Sequence, residues 1–155
     1  MAGRLASVVV IGAGNADRGD DGAGVRVVRT LRERQPEGMD LHEANGDMVG
    51  LIDRWASDDR VILIDAMRSG AAPGTVRRFD ALRDPLPASH FPPTSTHAFG
   101  VVEVTELARQ LHRLPAELTV YGIEGLCFEA GAPMSPAVEA AARRVADELA
   151  TTPRA

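Results

Sequence analysis

Cysteine is all but missing: Cys127 is the only one in 155 residues, so no disulfide can close within the chain. That usage fits a reducing compartment, and a cytoplasmic location is the expectation. Long apolar runs are missing too. The stretch Val8 to Ile11 that follows Arg4 is far too short for a signal core or a membrane span. Positive charge is not in excess. The formal net charge of −5 argues against nucleic acid or an anionic membrane as partner. Two catalytic signatures are also absent. No Gly-Lys-Ser/Thr follows the first glycine-rich turn, which excludes a P-loop, and no G-x-S-x-G elbow supports a serine triad around Ser95.

What is present is enough for one folded domain spanning residues 1–155. Hydrophobic residues make up 45% of the chain, sufficient for a proper core. Residues 6–12 form a continuous, largely β-branched run, the pattern of a central parallel strand covered on both faces. Val25, Val28 and Leu31 then recur at helical spacing over 21–35, with Asp20 or Asp21 as the expected N-cap. A weaker strand is expected at 39–44, a helix at 47–57 (Met48, Leu51, Ile52, Trp55), and a third strand at 60–66, passing through Asp65. Residues 75–79 read as a strand near an edge, and 80–97 as a long Pro-rich loop of functional length. A helix over 100–113 should turn Val101, Val104, Leu107, Ala108 and Leu111 inward. A strand at 118–123 and a helix at 136–150 follow, the helix with Ser135 as cap and Pro136 in its first turn. Strands alternating with helices predict a three-layer αβα sandwich: a mostly parallel twisted sheet with helices on both faces. In the common order 2-1-3-4-5, the carboxyl ends of strands one and three flank the crevice where ligands bind.

That crevice carries acids. The turn Gly12-Ala13-Gly14-Asn15-Ala16-Asp17-Arg18-Gly19-Asp20-Asp21-Gly22 sits where nucleotide phosphates are usually held, yet it bears its own carboxylates. Asp17 stands where the third glycine of a dinucleotide fingerprint belongs, and Glu43 is the one residue placed to bind a ribose. Fixed negative charge there repels a pyrophosphate and attracts a cation. Asp20 and Asp21 follow strand one and Asp65 ends strand three, so the topology brings them together. His97 closes the Pro-rich segment. Two carboxylates and an imidazole make an incomplete ligand set with open positions, suited to borderline divalent ions such as nickel or zinc. His42, His90 and His112 are weaker candidates, and Cys127 reads as a packed apolar residue.

The chain resembles the hydrogenase maturation endopeptidases, which remove a C-terminal peptide from the large subunit of nickel–iron hydrogenases. The resemblance runs through Gly12-Ala13-Gly14-Asn15, Asp20 to Arg26, Ile62 to Ala66, Gly70, Pro73-Gly74-Thr75, Ser95-Thr96-His97 with Gly100, Tyr121 to Glu124, and Ser135 to Val138. It implies a metal-reading trio of Asp21, Asp65 and His97; the attacking water is expected to be activated either by the bridging metal or by Asp20 or Asp21 as a general base. Where the family tends to carry Asp-Gly after the second strand, this chain has Asn45-Gly46, expected to touch substrate. The implied partner is a hydrogenase large-subunit precursor, and the implied metal is nickel brought by that substrate, for which zinc or cadmium could substitute. A monomer is expected. A non-catalytic maturation chaperone and a nucleotide-binding domain are the alternative readings.

Overall fold

A computed structural model describes residues 7–34, 36–45, 48–92 and 99–151. Five strands form one sheet: β1 (Val8–Ala13), β2 (Met39–Ala44), β3 (Arg60–Met67), β4 (Val76–Asp80) and β5 (Glu117–Glu124). β1 is buried along its whole length and β3 along most of it, as their apolar runs require. Three helices, α1 (Ala23–Arg34), α2 (Val101–Gln110) and α3 (Pro136–Ala150), complete the layers.

Alternation along the strands divides the core. Val8, Val10, Ile62 and Ile64 face α1 and α3, meeting Val28, Leu31, Val138 and Val145. Val9, Ile11, Val61 and Leu63 face the other way, onto α2 and a short 3-10 segment at Val49–Arg54. Each of these aliphatic side chains contributes about 1.5–3 kcal/mol by leaving water. The helix expected at 47–57 is that 3-10 segment: Met48, Leu51, Ile52 and Trp55 are buried as the spacing requires, but Gly50 and the short span favour the tighter turn. Trp55 donates its indole N–H to the Arg113 carbonyl at 2.8 Å, which ties this layer to the end of α2.

The sheet order is β2-β1-β3-β5-β4, so the last two strands exchange the places expected for them. β3, β1, β2 and β5 run parallel, and β4 lies antiparallel beside β5 at the edge. The cause is chain length. Residues 68–75 are too few for a helical crossover, so β4 must run back against the direction of β3. The segment 81–116, carrying α2, is long enough to return β5 parallel into the gap between them. A second correction concerns Leu111, which ends α2 on the solvent side with 53% exposure.

β1 and β3 remain neighbours, pairing Gly12 with Ile64. α1 presses hard onto them. A Cβ on Gly24 would lie 2.1 Å from the Ile64 carbonyl oxygen, so only glycine permits this approach. The contact sets where the turn before α1 meets the end of β3.

Candidate functional site

After β1 the chain turns at Gly14, whose φ of +123° is open to glycine and whose N–H donates to the Ala44 carbonyl at 3.0 Å. The Asn15 side chain accepts from the Asp17 N–H at 2.8 Å, and the Asn15 carbonyl from the Arg18 N–H at 3.1 Å. A 3-10 turn over Gly19–Gly22 then leads into α1. It carries Asp20 and Asp21 and sends their side chains to different partners.

Asp21 is 5% exposed, and its Oδ2 accepts from the Asn15 N–H at 2.9 Å. Asp65 accepts from the Ala66 N–H through Oδ1 at 2.8 Å. The same oxygen would lie 3.6 Å from a Cβ on Gly14, the residue packed against the Asp21 backbone. The two carboxylates therefore share one pocket of the rim. Burial pushes the Asp65 carboxyl well above the ordinary carboxylate range. The negative charge of Asp21 pushes it in the same direction, and the Ala66 hydrogen bond opposes both. Asp21 Oδ1 and Asp65 Oδ2 make no hydrogen bond among the described residues.

Asp20 is different. It is fully buried, and its carboxylate accepts from the N–H groups of Leu126, Cys127 and Ser135 and from the Ser135 hydroxyl, at 2.7–3.0 Å. Burial alone would raise its pKa. The four donors outweigh burial and hold the carboxyl below its usual range. Asp20 thus anchors the 126–135 loop through both of its oxygens. Neither acid caps α1 by a side-chain bond, since both are committed elsewhere. Ser135 likewise does not cap α3 through its side chain, because its hydroxyl points at Asp20.

His97 and Gly46 lie outside the described residues. Asn45 is exposed at the end of β2, next to the Ala44 carbonyl that holds Gly14. Among the described residues no three His, Cys, Asp or Glu side chains gather as a metal group, so His42, His90 and His112 do not join the pair.

Sequence reasoning also passed over the work of Glu124. Buried at the end of β5, it accepts from the Ser69 N–H at 2.9 Å, from the Ser69 hydroxyl, and from the Ala71 N–H at 3.0 Å. It fixes the turn that leaves β3 two residues after Asp65 and gives Ser69 a structural role that its place in a turn did not suggest. An acid closing an apolar strand at the ligand-binding rim was the available signal.

The turn is poorly suited to phosphate. The N–H groups of Asn15, Asp17, Arg18, Asp20 and Asp21 all have acceptors within the protein, so the cradle a nucleotide needs is already used. What the rim offers is a carboxylate pair in which burial and the charge of Asp21 favour the protonated form of Asp65, with two oxygens that make no hydrogen bond among the described residues, able to take a divalent ion or exchange a proton.

The comparisons with known proteins agree on one family. A family model described as hydrogenase maturation protease matches residues 25–152. The hydrogenase 2 maturation protease of Escherichia coli K12 is 31% identical over 137 residues, covering 86% of this chain and 82% of that protein. The hydrogenase expression/formation protein HupM of Azotobacter chroococcum is also 31% identical, over 80% of this chain, which spans 60% of HupM. Among solved structures, the hydrogenase maturating endopeptidase HybD from E. coli superposes with a TM-score of 0.76 at 26% identity, covering 92% of this chain and 89% of that one. The HybD protease of Thermococcus kodakarensis gives 0.71 at 27% identity, covering 94% and 99%. With its sheet, its layers and more than four-fifths of its length matched in this way, the chain belongs to the hydrogenase maturation protease family.

Proposed function

We propose that this protein is an endopeptidase that removes the C-terminal extension of a hydrogenase large-subunit precursor once nickel has been inserted. The observation that carries the reading is the Asp21–Asp65 pair, in which burial and the facing charge of Asp21 raise the Asp65 carboxyl above its ordinary range. A proton is the cheapest neutraliser of two crowded acids, and a divalent cation is the better one. Asp21, Asp65 and His97 are the groups that would hold nickel brought by the substrate, its charge replacing the proton favoured on Asp65. Zinc or cadmium would take the same place in a binding assay. A precursor without its metal leaves the pair protonated and undocked, so loading becomes the condition for cutting.

Hydrolysis further requires a group that takes a proton from the attacking water and passes it to the leaving amine. Asp20 is committed to its loop. Asp21, with Oδ1 given to the metal, is the residue we assign to that step, through the second lone pair of the Oδ2 that accepts from the Asn15 N–H. Asn45 and Gly46 are assigned to the substrate backbone beside the pair. The protein acts as a monomer in the cytoplasm in this reading. Among the described residues no helix is long and apolar enough to cross a membrane.

Incubation with nickel-loaded and nickel-free precursor should give a shortened large subunit from the loaded form alone, seen by intact-mass spectrometry. Equal shortening of both would end the metal-reading part. Stable binding of the loaded form with no mass change would favour the maturation-chaperone reading, to which the amide of Asn45 lends weight.

A further inference from the structure

A groove lies along the turn that leads to Asp21, and nothing in the reading above uses it. One stretch, of about 500 Å³, runs between Asn15–Arg18 and Ala130–Ala132. A second, of about 410 Å³, continues past Ala16 and Ala132 towards Arg26 and Arg29 on α1. Ala16 and Ala132 belong to both, so the two stretches adjoin there. The groove begins at Asn15, whose N–H holds Asp21. Its walls are fixed to each other before any ligand arrives. The Gly131 N–H donates to the Asp17 carbonyl at 2.7 Å, and Asp20 ties the same loop down from beneath.

Arg18 lines the first stretch. Its Nε is shut off from solvent and has no hydrogen-bond partner, and its guanidinium makes no ion pair among the described residues. Arg26 and Arg29 in the second stretch are already paired, with Glu139 and Glu43. A buried donor without an acceptor is costly and rare. Turning this guanidinium into the adjoining cleft breaks no side-chain hydrogen bond and gains an acceptor as soon as one is present.

We infer that this groove holds the extended precursor segment next to the scissile bond, and that Arg18 fixes it by donating to an acceptor oxygen of that segment. The small side chains of Ala16 and Ala130–Ala132 leave room for an extended backbone, and the start of the groove at Asn15, whose N–H holds Asp21, sets the register of the bond to be cut. The inference rests on the processing activity proposed above.

The test is steady-state processing of the nickel-loaded large-subunit precursor encoded with this chain. Two variants are compared, each checked for an unchanged thermal melt. Arg18→Ala removes the donor. Ala16→Trp, at an exposed position common to both stretches, fills the groove without touching the core. Both should raise KM about tenfold, the effect of losing one charge-assisted hydrogen bond or its geometry, while kcat stays within about twofold. An unchanged KM in both variants overturns the groove. A rise with Ala16→Trp alone overturns the part assigned to Arg18. No processing by the unaltered protein would instead defeat the proposed activity and is read separately, from the parent reaction.

Discussion

Asp20 and Asp21 are joined by one peptide bond and have opposite fates. Asp20 sinks into a nest of four donors supplied by residues more than a hundred positions away. Asp21 takes one backbone N–H and faces another acid. Both are nearly sealed from water, so burial does not separate them. The supply of donors does. Where donors outnumber a carboxylate's needs, the charge is stable and chemically quiet. Where two acids share too few donors, a proton or a cation must make up the deficit, and the site is reactive. The structural region and the functional region are built from the same residue type in the same turn.

The sharpest way to break that contrast is to neutralise each side. Asp65→Asn should lower precursor processing by about a thousandfold or more, measured by the rate of appearance of the shortened subunit. A near-normal rate would remove the pair from the chemistry. Asp20→Ala should have its main effect on the fold. Three backbone N–H groups would lose their acceptor, and the protein should lose about 3 kcal/mol in urea unfolding. Because the folded Asp20 carboxyl is held low, its contribution is full above the unfolded value near pH 4 and disappears as pH falls through the folded value. Asp20→Asn should therefore lose the steep acid limb of the stability curve. An unchanged limb would place the acid sensitivity elsewhere.

The smallest effect has the opposite sign. With the Asp65 carboxyl raised, both states are protonated below about pH 4 and the site costs nothing there. As pH rises the unfolded chain ionises first, and folding stability is lost up to the raised folded value. Asp65→Asn should thus raise the melting temperature of the metal-free protein at pH 7 by about 2–4 °C. A variant that is more stable and inactive would mark strain kept for function. A lower melting temperature would mean that Asp65 is structural.

Much of this was legible in the sequence because it is local. The β-branched run of β1, the apolar stretch of β3 and the Val25–Val28–Leu31 spacing fix which elements form and which faces they bury. The convergence of Asp21 and Asp65 then follows from β1 and β3 being neighbours. What escaped was decided at long range. Asp20 and Ser135 both look like caps, because a cap needs only the adjacent turn, and their mutual bond spans 115 residues. The exchange of β4 and β5 depends on which of two connections can cross the sheet. Glu124 holds a turn more than fifty residues earlier. None of these leaves a periodic trace.

The antiparallel placement of β4 has a last consequence. It leaves the outermost backbone of the sheet in the keeping of Val76-Arg77-Arg78-Phe79-Asp80, where both arginines are exposed. A border strand invites another chain to extend the ladder. Arg77 and Arg78, one on each face of that strand, meet an approaching copy with like charge, so the border discourages self-templated growth.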